Sequence, residues 1–121
     1  MSSRYPDYAV CWPDGSPVDA GLRDLLLHGL DSEFELQHAQ FAWQPDGSLA
    51  VTARLAIQPG GPDRPQIWEI VMGYPAADSG ALRPGAADGE REWFAMMFRT
   101  HVSEWWHTRA PGLVTAARHI K

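Results

Sequence analysis

The segment between Glu33 and Ile57 constrains the fold of this chain more than any other feature of its sequence. Apolar residues alternate with other residues on both sides of positions 44–47, a Gln-Pro-Asp-Gly turn whose glycine tolerates positive φ. Such alternation puts every second side chain on one face of a sheet, which predicts a β-hairpin. Residues 66–72 are rich in β-branched and aromatic side chains and predict a third strand. We therefore expect an antiparallel meander.

The first strand of this hairpin changes face partway along its length. Phe34 and His38 occupy even positions, whereas Phe41 and Trp43 occupy odd ones. Because side chains in a strand alternate between faces, a β-bulge near residues 38–40 would return all four to one side. We therefore expect a bulge there.

Two helices are predicted beside the meander. The first covers about residues 17–28, with Ser16 as its cap, Pro17 at its first position and leucines at helical spacing. The second is longer, begins with Asp88 as its cap and continues to about Arg109. Most of its large apolar side chains share one stripe, so we expect it to lie across one sheet face.

Three further segments give weaker signals. A short strand is predicted over residues 8–12, where alternation ends at a Trp-Pro-Asp-Gly turn. Residues 73–88 are dominated by Ala, Gly and Pro without periodicity and predict a flexible loop. Residues 113–120 fit either a short helix or an edge strand, and the sequence does not decide between them.

These elements predict a single α+β domain over residues 1–121. Its expected core is a three- to four-stranded antiparallel sheet, packed by a long C-terminal helix and a short N-terminal helix. A domain of 121 residues can bury an adequate core without disulfides or structural metal. Cys11 is the only cysteine and cannot form an intramolecular disulfide.

Composition excludes several classes of function. The formal net charge is -5 and the chain has a single lysine, Lys121, which argues against nucleic-acid binding because phosphate neutralisation needs clustered Lys and Arg. No apolar run approaches the ~20 residues of a membrane span, and the N-terminus does not resemble a secretory signal. We expect a cytoplasmic protein without membrane contact. The abundance of Ala and Arg over Lys suggests a bacterial origin.

The tryptophans of the second helix predict an interaction surface. Trp105 and Trp106 are adjacent and point ~100° apart, so they cannot both enter the centre of one core. Trp105 falls in the apolar stripe, which leaves Trp106 on the flank or exposed, and exposed aromatic residues are enriched in interfaces. The alternative is that the C-terminal segment folds back over Trp106 and buries it. We therefore expect a small, soluble, noncatalytic binding or regulatory module, acting through an aromatic-rich surface of the last helix as a homodimer or with another protein. The candidate binding residues are Trp106, Trp43, Trp68 and Phe98.

The alternative is a small cofactor-independent enzyme or ligand carrier of the cyclase or isomerase type. Its pocket would lie between the sheet and the last helix, hold a small apolar ligand and be covered by residues 73–88. The expected lining of this pocket is Trp43, Trp68, Phe98 and His101. His101 lies on the apolar stripe, so we expect it to be at least mostly buried and uncharged at pH 7, as either a catalytic or a purely structural histidine. Glu104 would orient it, and His38 would complete an acid–base pair.

No sequence motif assigns a mechanism, a metal or a cofactor. Glu104 and His107 have the spacing of helical di-metal carboxylate sites, but the second copy and further carboxylates of such sites are missing from the sequence. Cys11 and Ser103 have no identifiable neighbouring base, so we predict neither as a nucleophile.

Overall fold

A computed structural model describes residues 10–13, 16, 18–58, 65–78, 80–82, 85–108 and 114–120. In chain order its strands and helices are β1 (Val10–Cys11), α1 (Ala20–His28), β2 (Phe34–Trp43), β3 (Leu49–Ile57), β4 (Gln66–Tyr74), α2 (Asp88–Thr108) and β5 (Val114–Ile120). Two short 3-10 turns, Ala76–Asp78 and Gly80–Leu82, lie between β4 and α2.

The five strands form one mixed sheet in the order β1-β2-β3-β4-β5. Strands β2 to β5 are antiparallel neighbours, whereas β1 pairs parallel to β2. The α+β class is therefore confirmed, and the antiparallel meander extends over β2 to β5, but the sheet has five strands and is mixed, because β1 joins it in parallel. A parallel pair needs a crossover connection, and α1 provides it between β1 and β2. The ambiguous tail at residues 113–120 contains the edge strand β5.

The β-bulge in β2 lies slightly earlier than the sequence predicts. Leu36 pairs with Leu55 and His38 pairs with Arg54, so the extra residue is Gln37. The shift leaves His38 exposed on the sheet face opposite the core. The prediction that His38 shares a face with Phe34 is therefore wrong, because the extra residue precedes His38 instead of following it.

Neither helix has the N-terminal cap that the sequence predicts, and α1 also begins later than predicted. The cap of α1 is Asp19, whose carboxylate accepts a hydrogen bond from the Leu22 backbone N–H at 3.1 Å. The helix starts at Ala20, so Ser16 is not its cap; Pro17 lies outside the described residues. The predicted end of α2 at Arg109 is also outside them.

Hydrogen bonds at Ala87 cap the N-terminus of the second helix. The Glu90 carboxylate accepts a hydrogen bond from the Ala87 N–H at 3.2 Å, and the Ala87 carbonyl accepts from the N–H groups of Glu90 and Arg91. Asp88, predicted as the cap, is the first helical residue and pairs with Arg91 at 2.9 Å.

The hydrophobic core lies between the sheet and the two helices. α1 contributes Leu22 and Leu26, which are at most 1% exposed, and α2 contributes Phe94, Phe98, Val102 and Trp105. The sequence predicts a stripe of Phe94, Met97, Phe98, His101 and Trp105; of these, Met97 and His101 are only half-buried. At its start, α2 meets the start of α1 through an ion pair of 3.3 Å between Arg91 and Asp19. No helix in the described part of the chain is long and apolar enough to cross a membrane.

The described part of segment 73–88 contains more regular secondary structure than its composition suggests. Gly73 and Tyr74 complete β4, and Leu82 in the second 3-10 turn packs against the core. Residues 79 and 83–84 lie outside the described part of the chain. Flexibility of this segment stays a prediction.

Candidate functional site

The three residues predicted for an acid–base site do not meet. His101 is half-buried beside Tyr74, with ring centroids 5.9 Å apart. His38 lies on the other face of the sheet, and Glu104 is exposed on the outer side of α2. The His101 ring is therefore only partly accessible, and both its charge state and its role stay predictions.

The predicted lining of a pocket between sheet and helix is also dispersed. Phe98 is 0% exposed and belongs to the core. Trp43 pairs with Leu49, whereas the β3 partner of Trp68 is Leu55. These two partners are six residue steps apart along β3, a distance of roughly 20 Å. Trp43 and Trp68 therefore lie near opposite ends of the sheet.

Trp68 belongs to an aromatic cluster with residues of α2 and β5. Its ring is 5.6 Å from Trp105 and 6.1 Å from Trp106, and it stacks on His119 at 4.9 Å with an interplanar angle of 13°. Trp105 is 6% exposed, as predicted for the stripe, and Trp106 is half-buried on its flank. A role of Trp106 in association stays a prediction.

The outer side of α2 carries an exposed apolar pair that was not predicted from the sequence. Trp93 is 41% and Met96 is 48% exposed, while Phe94 between them is fully buried. Residues three apart on a helix are surface neighbours, so the indole and the thioether form one patch. A helical wheel predicts the exposure of Trp93, because its side chain points ~100° away from that of the buried Phe94.

An open groove follows this patch toward the end of α2. Its volume is about 560 Å³, and its lining consists of Asp31, Arg99, Thr100, Ser103, Glu104, His107 and Thr108. Asp31 comes from the connection between α1 and β2, and the other lining residues come from α2. The groove is therefore a polar surface feature, with both charge signs present.

A chain of hydrogen-bonding side chains runs along one side of this groove. Ser103 Oγ lies 3.2 Å from His107 Nδ1, and His107 Nε2 lies 2.9 Å from Glu33 Oε1. The His107 side chain is 51% exposed and that of Glu33 is 33% exposed. The expectation that Ser103 lacks a neighbouring base is wrong, since residues four apart on a helix face each other.

The second rejected nucleophile, Cys11, also has an imidazole beside it. Cys11 Sγ lies 3.6 Å from His38 Nε2 on the sheet face away from the helices. The same face carries Glu69, which pairs with Arg54 at 3.7 Å and with Arg118 at 2.9 Å. However, Cys11 is only 7% exposed, so its thiol offers little surface to a substrate.

Two ionisable side chains in the described part of the chain, Tyr74 and Asp46, have pKa values shifted from their usual ones. Burial raises the pKa of Tyr74 well above its usual value, and its hydroxyl donates to Met72 Sδ at 3.8 Å. Hydrogen bonds from the Ser48 hydroxyl and backbone N–H lower the pKa of Asp46 in the β2–β3 turn. Both effects are explained by packing and turn formation.

Within the described residues, no group of three or more His, Cys, Asp or Glu side chains is placed to hold a metal ion. Comparisons with protein-family models, with curated proteins and with solved structures gave no match to this chain.

Proposed function

We propose that this chain is a small binding or regulatory module that forms a homodimer through the outer side of α2. The observation that carries the proposal is the exposure of Trp93 and Met96 side by side. Aromatic residues and Met are enriched at the centres of interfaces, where a few buried anchors contribute most of the binding energy.

The surroundings of the patch support an interface anchor. The patch lies near polar groups of the groove, including Arg99 and Glu104, which suit a solvated rim. A two-fold axis would set the same surface of a second copy against it, so one chain can supply both halves of the contact. Burying Trp93 in this way removes an exposed indole from water.

Sedimentation equilibrium over a wide concentration range tests this proposal. The parent chain should dimerise, and Trp93→Ala should raise the dissociation constant about 30-fold, which corresponds to ~2 kcal/mol for a buried interface Trp. Met96→Ala should have a smaller effect in the same direction. Trp106→Ala belongs in the same series, because part of its ring is accessible on the flank of α2.

Trp43→Ala is the matched control, since Trp43 is 38% exposed but lies at the end of β2, stacked on Trp12. It should leave the dissociation constant unchanged. The proposal is refuted by a parent chain that is monomeric at all concentrations. It is also refuted if Trp43→Ala and Trp93→Ala raise the dissociation constant by the same factor, because the contact would then not be specific to α2.

A further inference from the structure

The hydrogen-bonded chain in the groove points to a chemical activity. Ser103, His107 and Glu33 are joined in series by contacts of 3.2 Å and 2.9 Å. This is the order nucleophile, base and orienting carboxylate that activates serine in acyl-transfer enzymes. We propose that Ser103 is an activated nucleophile that accepts acyl groups from small esters, with His107 as its base and Glu33 as a positioning residue. This inference does not rest on the proposed dimer.

The two contacts of the His107 imidazole indicate which ring nitrogen carries the proton in its neutral form. Glu33 is acceptor-only when ionised, so His107 Nε2 carries the proton and donates a hydrogen bond to Glu33 Oε1. In this neutral tautomer the lone pair of Nδ1 faces Ser103 Oγ, 3.2 Å away, and can accept a hydrogen bond from the serine hydroxyl. Because the carboxylate holds this tautomer, the base is ready to take the serine proton.

The groove supplies the space and the charge that the reaction needs. It is open to solvent and has a volume of about 560 Å³, which admits a small ester to Ser103. Arg99 lies one helical turn before Ser103 and lines the same groove. Its guanidinium is the cation available to stabilise the oxyanion that forms on the ester carbonyl oxygen.

The reaction balances without a further reactant other than water. Ser103 Oγ attacks the carbonyl carbon and forms the acyl–oxygen bond, while its proton passes to His107 Nδ1. The bond to the ester alkoxy oxygen breaks, and the proton passes from His107 to the departing alkoxide. Water then attacks the acyl-serine, again giving its proton to His107, and releases the carboxylic acid as the serine recovers its hydrogen.

Covalent labelling with diisopropyl fluorophosphate tests the nucleophile directly. The Ser103 Oγ–P bond forms, fluoride leaves, and the adduct is measured by intact mass and located by peptide mapping. We expect a single adduct on Ser103 that is absent from Ser103→Ala. Ser48 is the internal control, because its hydroxyl donates to Asp46 at 2.6 Å and has no imidazole among its described hydrogen-bond contacts.

Variants of the chain separate activation from mere exposure. His107→Gln should slow labelling of Ser103 by ~10²-fold or more, the usual contribution of a general base. Glu33→Gln should slow it less, because the amide still accepts the imidazole proton but carries no charge. Glu35→Gln is its matched control, an exposed carboxylate two residues along the chain, and should label at the parent rate.

Circular dichroism of each variant establishes that the fold is retained, and hydrolysis of p-nitrophenyl acetate gives a second readout of the same series. The proposal is overturned if Ser103 labels no faster than Ser48. It is also overturned if His107→Gln, folded, labels Ser103 at the parent rate, because the three side chains would then be a surface network without activation.

Discussion

Replacing Trp105 with alanine should destabilise the chain strongly, whereas the same change at Trp93 should not. Both residues lie on α2, but Trp105 is 6% exposed and Trp93 is 41% exposed. The ring of Trp105 also contacts Trp68 at 5.6 Å and Trp106 at 5.7 Å. The pair therefore compares one side chain in two environments on one helix.

The magnitude follows from the burial. A buried tryptophan removes roughly 150–250 Å² from water, which corresponds to roughly 4–6 kcal/mol. Measured truncations of buried Phe or Trp to Ala cost about 3–5 kcal/mol. For 121 residues the entropy of unfolding is ~0.25 kcal/mol per kelvin, so Tm should fall by ~12–20 °C. Trp93→Ala should cost at most about 0.5 kcal/mol, or ~2 °C.

The assay is thermal unfolding followed by circular dichroism, at a protein concentration low enough that dimers do not contribute. Trp105→Phe keeps one aromatic ring and provides a milder variant if Trp105→Ala does not fold. The reasoning is refuted if Trp105→Ala and Trp93→Ala lower Tm by similar amounts. A loss below ~1 kcal/mol at Trp105 would also contradict the burial on which the estimate rests.

Two further predictions concern an ionisable group and a turn. Because burial raises the pKa of Tyr74 while an unfolded tyrosine ionises near ~10, the unfolded state loses this proton first. Stability should therefore fall as the pH rises above ~10, and Tyr74→Phe should weaken this dependence in urea unfolding between pH 8 and 11. Gly47 has a φ of 88° in the β2–β3 turn, so Gly47→Ala should cost ~1–2 kcal/mol. Gly73→Ala is the control, since an added Cβ meets nothing within 4 Å there, and a Tm loss equal to that of Gly47→Ala would contradict the argument from backbone strain.

The caps and the bulge show the limits of local pattern. Asp19 and Ser16 are both good cap residues, and the chain uses Asp19. Backbone hydrogen bonds from the Trp12 N–H to the Ser16 carbonyl and from the Val18 N–H to the Val10 carbonyl hold this segment beside β1 before the helix begins. Similarly, alternation in β2 requires one extra residue, but either side of His38 satisfies the pattern. The partner strand β3 decided the position, and with it the face on which His38 lies.

The candidate sites divide in the same way. The contact between Ser103 and His107 is local, because four residues on a helix bring two side chains together, and the sequence contains it. Glu33 is 74 positions earlier than His107 (107 − 33 = 74), and it reaches the imidazole only because the connection from α1 to β2 ends beside α2. Cys11 and its neighbour His38 are 27 positions apart in the sequence, and they meet only through the parallel pairing of β1 and β2.

The sequence by itself determined the meander, the two helices and the buried stripe of α2. These features follow from periodicity and turn chemistry, which act over a few neighbouring residues. Only the tertiary structure decided the parallel placement of β1, the strand at the C-terminal edge and the meeting of Glu33 with His107. Those contacts join residues far apart in the chain. Their free energy depends on how the rest of the fold has already packed, and a local sequence pattern carries no information about that packing.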